Sequence, residues 1–109
     1  LKLFWIKSVD NHFDFARWAA LPFYDQMGNI GSEVGRAMNA IKRNDEKSII
    51  GAYYRGLDLI DATVSGLDSL PRRRELLRAR ELFSESIESR TIDQKLDDYF
   101  MTFAVLARV

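Results

Sequence analysis

Apolar residues recur along most of this chain at alternating spacings of three and four, which is the period of an amphipathic helix. A short first helix is expected to begin after Asp10 or Asn11 and to end at Ala19. Pro22 is well placed to open the second helix, because proline suits the first helical turn. The apolar stripe of this second helix consists of Phe23, Met27, Ile30, Val34, Ala37 and Ile41.

The same period predicts three further helices. Asp45 is a suitable N-cap for the next one, which ends near Gly66. Its apolar stripe consists of Ile50, Tyr53, Leu57, Ile60, Val64 and Leu67. Pro71 opens the following helix, with Ser69 or Leu70 as its cap. The apolar positions of that helix are Leu76, Leu77, Ala79, Leu82, Phe83 and Ile87.

The last predicted helix begins at Thr91–Gln94, a run that has the form of a capping box. Its apolar stripe consists of Ile92, Leu96, Tyr99, Phe103 and Leu106, widened by Phe100, Ala104 and Ala107. Short connections between amphipathic helices favour antiparallel neighbours. We therefore expect an all-α fold, an antiparallel up-and-down four-helix bundle that allows a short extra N-terminal helix, as one domain over residues 1–109. The structure of residues 1–9 stays open, and Leu1–Ile6 fits either a short strand or the start of a helix.

Composition narrows the chemistry that this domain can perform. The 109 residues include 16 basic and 16 acidic side chains, and 47% of them are apolar, which excludes a disordered chain. The absence of cysteine excludes a disulfide scaffold, a cysteine-based zinc site and a cysteine nucleophile. Zero net charge gives no global signal for nucleic acid. We expect no cofactor and no metal.

No segment predicts a membrane association. The uncharged run at residues 99–107 is far shorter than the roughly 20 residues of a membrane span. Lys2 and Lys7 flank only a few apolar residues, without the long apolar core and small-residue cleavage site of a signal peptide. The expected location is the cytoplasm.

Glycines interrupt the second helix in a regular way. Each costs about 1 kcal/mol relative to alanine in a helix, so a compensating role is expected. The small residues that fall on one strip are Gly28, Gly31, Ser32 and Gly35. Their spacing matches neither a dinucleotide fingerprint nor a phosphate-binding loop. We expect close helix packing, with Gly51, Ala52 and Gly56 of the third helix as the counterpart, and a ligand-contacting surface as the alternative.

Four charged residues on the second and third helices form a candidate polar pocket. These are Glu33, Arg36, Arg55 and Asp61. Ordinary ion pairs beside the core are the simpler interpretation. A carboxylate metal site with Asp58 is the alternative, although di-metal bundles use Glu-x-x-His pairs that this chain lacks. His12, the single histidine, has no arginine shortly before it, so the Arg-to-His motif of HEPN ribonucleases is absent.

The fourth helix carries charges in an unfavourable order. Five arginines crowd its first half, namely Arg72, Arg73, Arg74, Arg78 and Arg80. Three glutamates crowd its second half, namely Glu81, Glu85 and Glu88. The helix dipole prefers the opposite arrangement. Three explanations stay open: a solvated or intramolecularly paired face, phosphate binding by the arginines, or antiparallel pairing of two copies about a two-fold axis near Arg80.

Several segments resemble a group of small bacterial helical-bundle proteins. The resemblance lies in Asp14–Tyr24 (DFARWAALPFY), Gln26–Ala37 (QMGNIGSEVGRA), Arg55–Asp61, Arg80-Glu81 and Asp98–Arg108. It covers most of the chain after Asn11 and implies a bacterial helical bundle, but it carries over no activity and no catalytic residue. More loosely, the architecture is similar to the four-helix proteins encoded in bacterial ribosomal-RNA intervening sequences and to HEPN bundles. Fold similarity of this kind does not carry function.

These observations favour a non-enzymatic interaction module. We expect it to self-associate as a homodimer through the helix after Pro71 and to dock a protein partner. The first alternative is a nucleic-acid-binding accessory protein that uses the Arg72–Arg80 cluster. The second is an enzyme with the polar pocket around Glu33, Arg36, Arg55 and Asp61.

Overall fold

A computed structural model describes residues 13–108 of the chain and contains five helices and no strand within them. The helices are α1 (Phe15–Ala19), α2 (Phe23–Lys42), α3 (Glu46–Ser65), α4 (Leu70–Ser89) and α5 (Gln94–Ala107). The all-α prediction is confirmed, and four long helices follow one short helix. Asp10, Asn11, His12 and residues 1–9 lie outside the described residues, together with the predictions made for them.

Side-chain caps mark the starts of α3 and α4, and a proline marks the start of α2. Asp45 precedes α3 and accepts a hydrogen bond from the backbone N–H of Ser48. Ser69 precedes α4 and accepts one from the backbone N–H of Arg72. Pro22 immediately precedes α2, in an extended conformation. These starts agree with the sequence prediction, because a cap depends only on residues within one helical turn.

Two helices begin later than the sequence pattern predicted, because neither Phe13 nor Thr91 is helical. Asp14 caps α1, four residues after Asp10, by accepting a hydrogen bond from Arg17 N–H. Asp93 caps α5 in place of Thr91, and its carboxylate accepts a hydrogen bond from Leu96 N–H at 3.0 Å. The carbonyl of Thr91 instead accepts a hydrogen bond from the Ser86 hydroxyl. Thr91 therefore belongs to the turn after α4.

Removal of the Asp45 cap is expected to lower Tm by about 5 °C at neutral pH in Asp45→Ala. The Ser48 hydroxyl donates a 2.7 Å hydrogen bond to Asp45, and the hydrogen bonds from the Ser48 side chain and backbone lower the pKa of this carboxyl below its usual value. Because the folded pKa is lowered, the stabilisation is fully present above the unfolded value and is lost as pH falls through the folded value.

Thermal unfolding of the wild type, Asp45→Ala and Asp45→Asn at pH 7 and at about pH 2 checks this expectation. Asn keeps the acceptor without the charge, so it should retain most of the stability at pH 7. The gap between wild type and Asp45→Ala should narrow at low pH. An unchanged gap would show that the carboxylate charge contributes nothing.

The core lies between the four long helices. The predicted stripe of α2 is confirmed, because all its members after the half-buried Phe23 are buried. The largest fully buried side chains include Phe83 of α4 and Phe100 of α5. α2 packs along both α3 and α5, whereas α4 packs on α3 and meets α5 over a shorter stretch.

The predicted stripe of α3 is rotated relative to the observed one. Leu57 and Ile60 are buried as expected, but Ile50, Tyr53 and Val64 are only half-buried. Their places in the core are taken by Ile49, Ala52, Gly56 and Thr63. The small residues face inward because Gly56 receives the Phe83 ring, and a methyl group added at Gly56 would lie 2.8 Å from Phe83 Cε2.

The glycine strip of α2 supports close packing, but its predicted partner is wrong. A methyl group added at Gly31 would lie 2.8 Å from Phe100 Cβ, and one at Gly28 would lie 3.3 Å from Ala104 Cα. At Gly35 the nearest atom belongs to Asp97, at 3.5 Å. The glycine strip therefore packs closely against α5, and not against the small residues of α3 as predicted. Periodicity could not choose between two neighbouring helices.

Three residues of the predicted apolar stripes stay at the surface. Leu77 of α4 is 44% exposed, and Leu106 and Ala107 of α5 are exposed as well. Leu77 lies away from the buried face of α4, and the other two lie in the last turn of α5. The tertiary arrangement thus leaves apolar side chains uncovered where the period alone predicted burial.

The short helix α1 packs against α3 through one buried aromatic residue. Trp18 Nε1 donates a hydrogen bond of 3.0 Å to the Thr63 hydroxyl, and the Gln26 side chain donates one of 2.9 Å to the Trp18 carbonyl. These bonds satisfy polar groups that burial would otherwise leave unpaired.

Within residues 13–108, none of the helices is long and apolar enough to cross a membrane.

Candidate functional site

The exposed side of α4 is lined with charged residues. Arg74, Arg78, Glu81, Glu85 and Glu88, which we call the charged stripe, are all exposed. Their spacings of four and three residues place them on one side of the helix, opposite the buried residues. Two arginines precede three glutamates along this stripe. The stripe thus presents positive charge at one end and negative charge at the other.

The five-arginine cluster is divided by the tertiary structure. Arg80 turns inward, and its guanidinium donates two hydrogen bonds to Asp61 of α3, at 2.8 and 3.1 Å. The hydrogen bonds to Asp61 raise the pKa of Arg80. Arg72 lies over the Phe23 ring, with its guanidinium carbon 4.3 Å from the ring centroid. Both residues are therefore used within the fold.

The remaining arginines of the cluster face solvent. Arg78 lies 3.8 Å from Glu81, one turn later on the same helix, and both side chains are more than half exposed. Arg73 and Arg74 form no ion pair with any residue between 13 and 108. Leu77 lies exposed among them. This part of α4 offers charge and apolar surface that the described fold does not use.

The predicted polar pocket is brought together only in part. The Arg55 guanidinium donates to both carboxylate oxygens of Glu33, each at 3.2 Å, and Arg36 lies 3.2 Å from the same carboxylate. Glu33 is largely buried, with 12% of its side chain exposed, whereas both arginines are more than half exposed. Asp61 instead pairs with Arg80 on the α4 side of α3. The expected group of four does not form.

A basic groove between α2 and α3 is a feature that sequence reasoning missed. It has a volume of about 730 Å³ and is lined by Arg36, Asn39, Arg43, Lys47, Ser48, Ile50, Gly51, Tyr54 and Arg55. None of these residues is acidic. The four cations are spread over residues 36–55, and only Arg43 has a basic neighbour in the sequence, Lys42, so no cluster is visible. The sequence signal that could have indicated the groove is the spacing of seven and eight residues between cations on two neighbouring helices.

A smaller hollow of about 320 Å³ lies between α4 and α5. At its edge the Tyr99 hydroxyl donates a 2.6 Å hydrogen bond to Glu75. Burial, together with the Glu75 carboxylate, raises the pKa of Tyr99. Tyr99 is therefore neutral at physiological pH and ties the two helices together.

Known proteins add no functional residue to this description. Among residues 13–108, no group of three or more His, Asp or Glu side chains is arranged to hold a metal ion. Comparison of the chain with family models, curated proteins and solved structures finds no match. The functional argument therefore rests on the charges and contacts of the chain itself.

Proposed function

We propose that this chain is an antiparallel, up-and-down four-helix bundle that works as a non-enzymatic interaction module and self-associates through α4. Three contacts support the antiparallel order of α2 and α5, because Gly28, Gly31 and Gly35 approach Ala104, Phe100 and Asp97 in turn. Arg80 beside Asp61 and Arg90 beside Glu46 support the same order for α3 and α4. The proposal keeps the bacterial cytoplasmic setting expected from the sequence.

The observation that carries the proposal is the order of charges along the charged stripe. A second copy of α4 would run antiparallel to the first, related by a two-fold axis that passes between the two helices at the level of Ala79 and Arg80. Arg74 then lies opposite Glu85 of the other copy, and Arg78 lies opposite Glu81. Symmetry repeats both pairs, so four intermolecular ion pairs form. The arrangement that is unfavourable within one helix becomes complementary between two.

Leu77 adds apolar contact to this arrangement. A two-fold axis places the same flank of both helices on one side of the interface. The two Leu77 side chains therefore lie on that side, near the axis. Each exposed ion pair contributes about 0.2–1 kcal/mol, so four pairs contribute roughly 1–4 kcal/mol. Association of this strength is weak, depends on protein concentration and weakens as salt screens the charges. A protein partner with complementary charges would dock on the same stripe.

The two alternatives have less support. Nucleic-acid binding through the Arg72–Arg80 cluster needs arginines that act together, but Arg72 and Arg80 point to Phe23 and Asp61. An enzyme built on the polar pocket needs its charged side chains to meet at one site that is shielded from water. Arg36 and Arg55 are exposed, and Asp61 lies elsewhere.

A charge-swap experiment tests the self-association. Sedimentation or light scattering should show wild-type dimers at high protein concentration and low salt, and monomers at high salt. Arg74→Glu/Arg78→Glu makes the four pairing positions 74, 78, 81 and 85 all acidic, and Glu81→Arg/Glu85→Arg makes the same four positions all basic. Each variant alone should stay monomeric, while their equimolar mixture should form heterodimers.

The matched control places two charge reversals elsewhere, in Arg17→Glu/Arg108→Glu, and should dimerise like the wild type. A wild type that stays monomeric at every concentration and salt would overturn the proposal. So would a mixture of the acidic and basic variants that does not associate.

A further inference from the structure

The basic groove between α2 and α3 concentrates positive charge from two helices. Arg36 on α2 and Arg43, the residue that follows α2, lie seven residues apart, and Lys47 and Arg55 lie eight apart on α3. Residues at such spacings share one side of a helix. Arg43 and Lys47 therefore stand at the end near the α2–α3 turn, and Arg36 and Arg55 at the other end. At 1.5 Å per residue, the two ends are about 10–12 Å apart.

Neighbouring carboxylates neutralise this charge only in part. Glu33 serves both Arg36 and Arg55, and Asp45 lies 3.6 Å from Arg43. Lys47 forms no ion pair with any residue of the described range. Two carboxylates thus face four cations, and an excess of positive charge remains. The three arginine side chains are each about 60% exposed, and each forms its ion pair through one nitrogen atom. Their other N–H groups therefore remain able to donate to a ligand while the ion pairs persist.

The middle of the groove suits a flat, weakly polar group. Ile50 and the Tyr54 ring offer apolar surface, and Asn39 offers an amide. Gly51 leaves room beneath the Arg55 guanidinium, because a methyl group added there would lie 3.1 Å from Arg55 Nη1. The volume of about 730 Å³ falls within the roughly 300–1,000 Å³ of small-molecule sites.

We propose that this groove binds a nucleotide with phosphates at both its 3′ and 5′ ends. One phosphate would lie between Arg43 and Lys47, the other between Arg36 and Arg55, and the base or ribose against Ile50 and Tyr54. Arginine pairs with phosphate through parallel charge-assisted hydrogen bonds, which favours this ligand class over a neutral one. The site lies on α2 and α3 and does not depend on self-association through α4.

Calorimetric titration of the full chain tests the proposal, with adenosine 3′,5′-bisphosphate as the probe. We expect the bisphosphate to bind at least about tenfold more tightly than AMP, and adenosine not to bind. ATP carries its phosphates at one end only and should bind more weakly than the bisphosphate. The variants Arg43→Ala/Lys47→Ala and Arg36→Ala/Arg55→Ala should each lower the bisphosphate affinity about tenfold or more.

The control variant Arg73→Ala/Arg74→Ala removes two exposed arginines from α4 and should leave the affinity unchanged. Circular dichroism checks that each variant folds. If the loss of both partners of Glu33 unfolds Arg36→Ala/Arg55→Ala, the variant Arg43→Ala/Lys47→Ala carries the test. Absence of bisphosphate binding at low salt would overturn the proposal, as would equal affinity for ATP or for inorganic phosphate. Tighter binding of a short RNA with the same variant pattern would also overturn it and assign the groove to nucleic acid. These outcomes concern α2 and α3 only, so they leave the test of self-association through α4 unaffected.

Discussion

Phe83→Ala is expected to lower the free energy of unfolding by about 3–5 kcal/mol. The Phe83 ring is fully buried, lies against Gly56 and meets the Tyr53 ring at a centroid distance of 5.2 Å. Its removal leaves a cavity that the rigid helix backbones on either side cannot fill. Urea unfolding followed by circular dichroism measures the difference.

Leu77→Ala is the matched control for this prediction, because it truncates an apolar side chain on the same helix. Leu77 is 44% exposed, so its removal should change the free energy of unfolding by only about 0.5 kcal/mol at protein concentrations where the chain is monomeric. Equal losses for the two variants would contradict the packing of α4 on α3.

Gly31→Val is expected to cost about 1–3 kcal/mol or more, through overpacking between α2 and α5. A methyl group at Gly31 already lies 2.8 Å from Phe100 Cβ, and that atom cannot move without moving the α5 backbone. The steric cost therefore exceeds the gain in helix propensity over glycine, which is below about 1 kcal/mol. Thermal and urea unfolding both report the loss.

Gly35→Ala, on the same glycine strip, is expected to raise stability rather than lower it. The nearest atom to an added methyl group there is an Asp97 oxygen at an ordinary 3.5 Å. Helix propensity then dominates, and stability should rise by up to about 1 kcal/mol. If Gly31→Val were as stable as the wild type, the close approach of α2 and α5 would be wrong.

The packing of α4 also positions the surface proposed for self-association. α4 is held on α3 by the Phe83 ring, by the Arg80–Asp61 pair and by a 2.8 Å hydrogen bond between the Tyr53 and Ser84 hydroxyls. These contacts face inward, so the charged stripe faces outward. Phe83→Ala should consequently weaken association as well as stability, whereas the charge-swap variants should affect association alone.

Local sequence patterns were sufficient for the helices and for most of their starts. Asp45 and Ser69 cap α3 and α4 as predicted, since a cap needs only the side chain and the backbone one turn later. The apolar stripe of α2 was also predicted well, because large residues at a regular period leave one choice of buried face. The start of α5 was misplaced because Thr91 and Asp93 are both acceptable caps, and the turn after α4 engages Thr91.

The sequence by itself thus determined an all-α chain with four long helices, their approximate limits and a charge order along α4 that is unfavourable in isolation. Only the tertiary structure decided which side chains meet: Gly31 with Phe100, Gly56 with Phe83, Arg80 with Asp61, and the four cations of the α2–α3 groove. The reason is the range of the interactions. Helix period and capping act within a few residues, whereas these pairings join residues far apart in the chain and depend on which helix faces become neighbours.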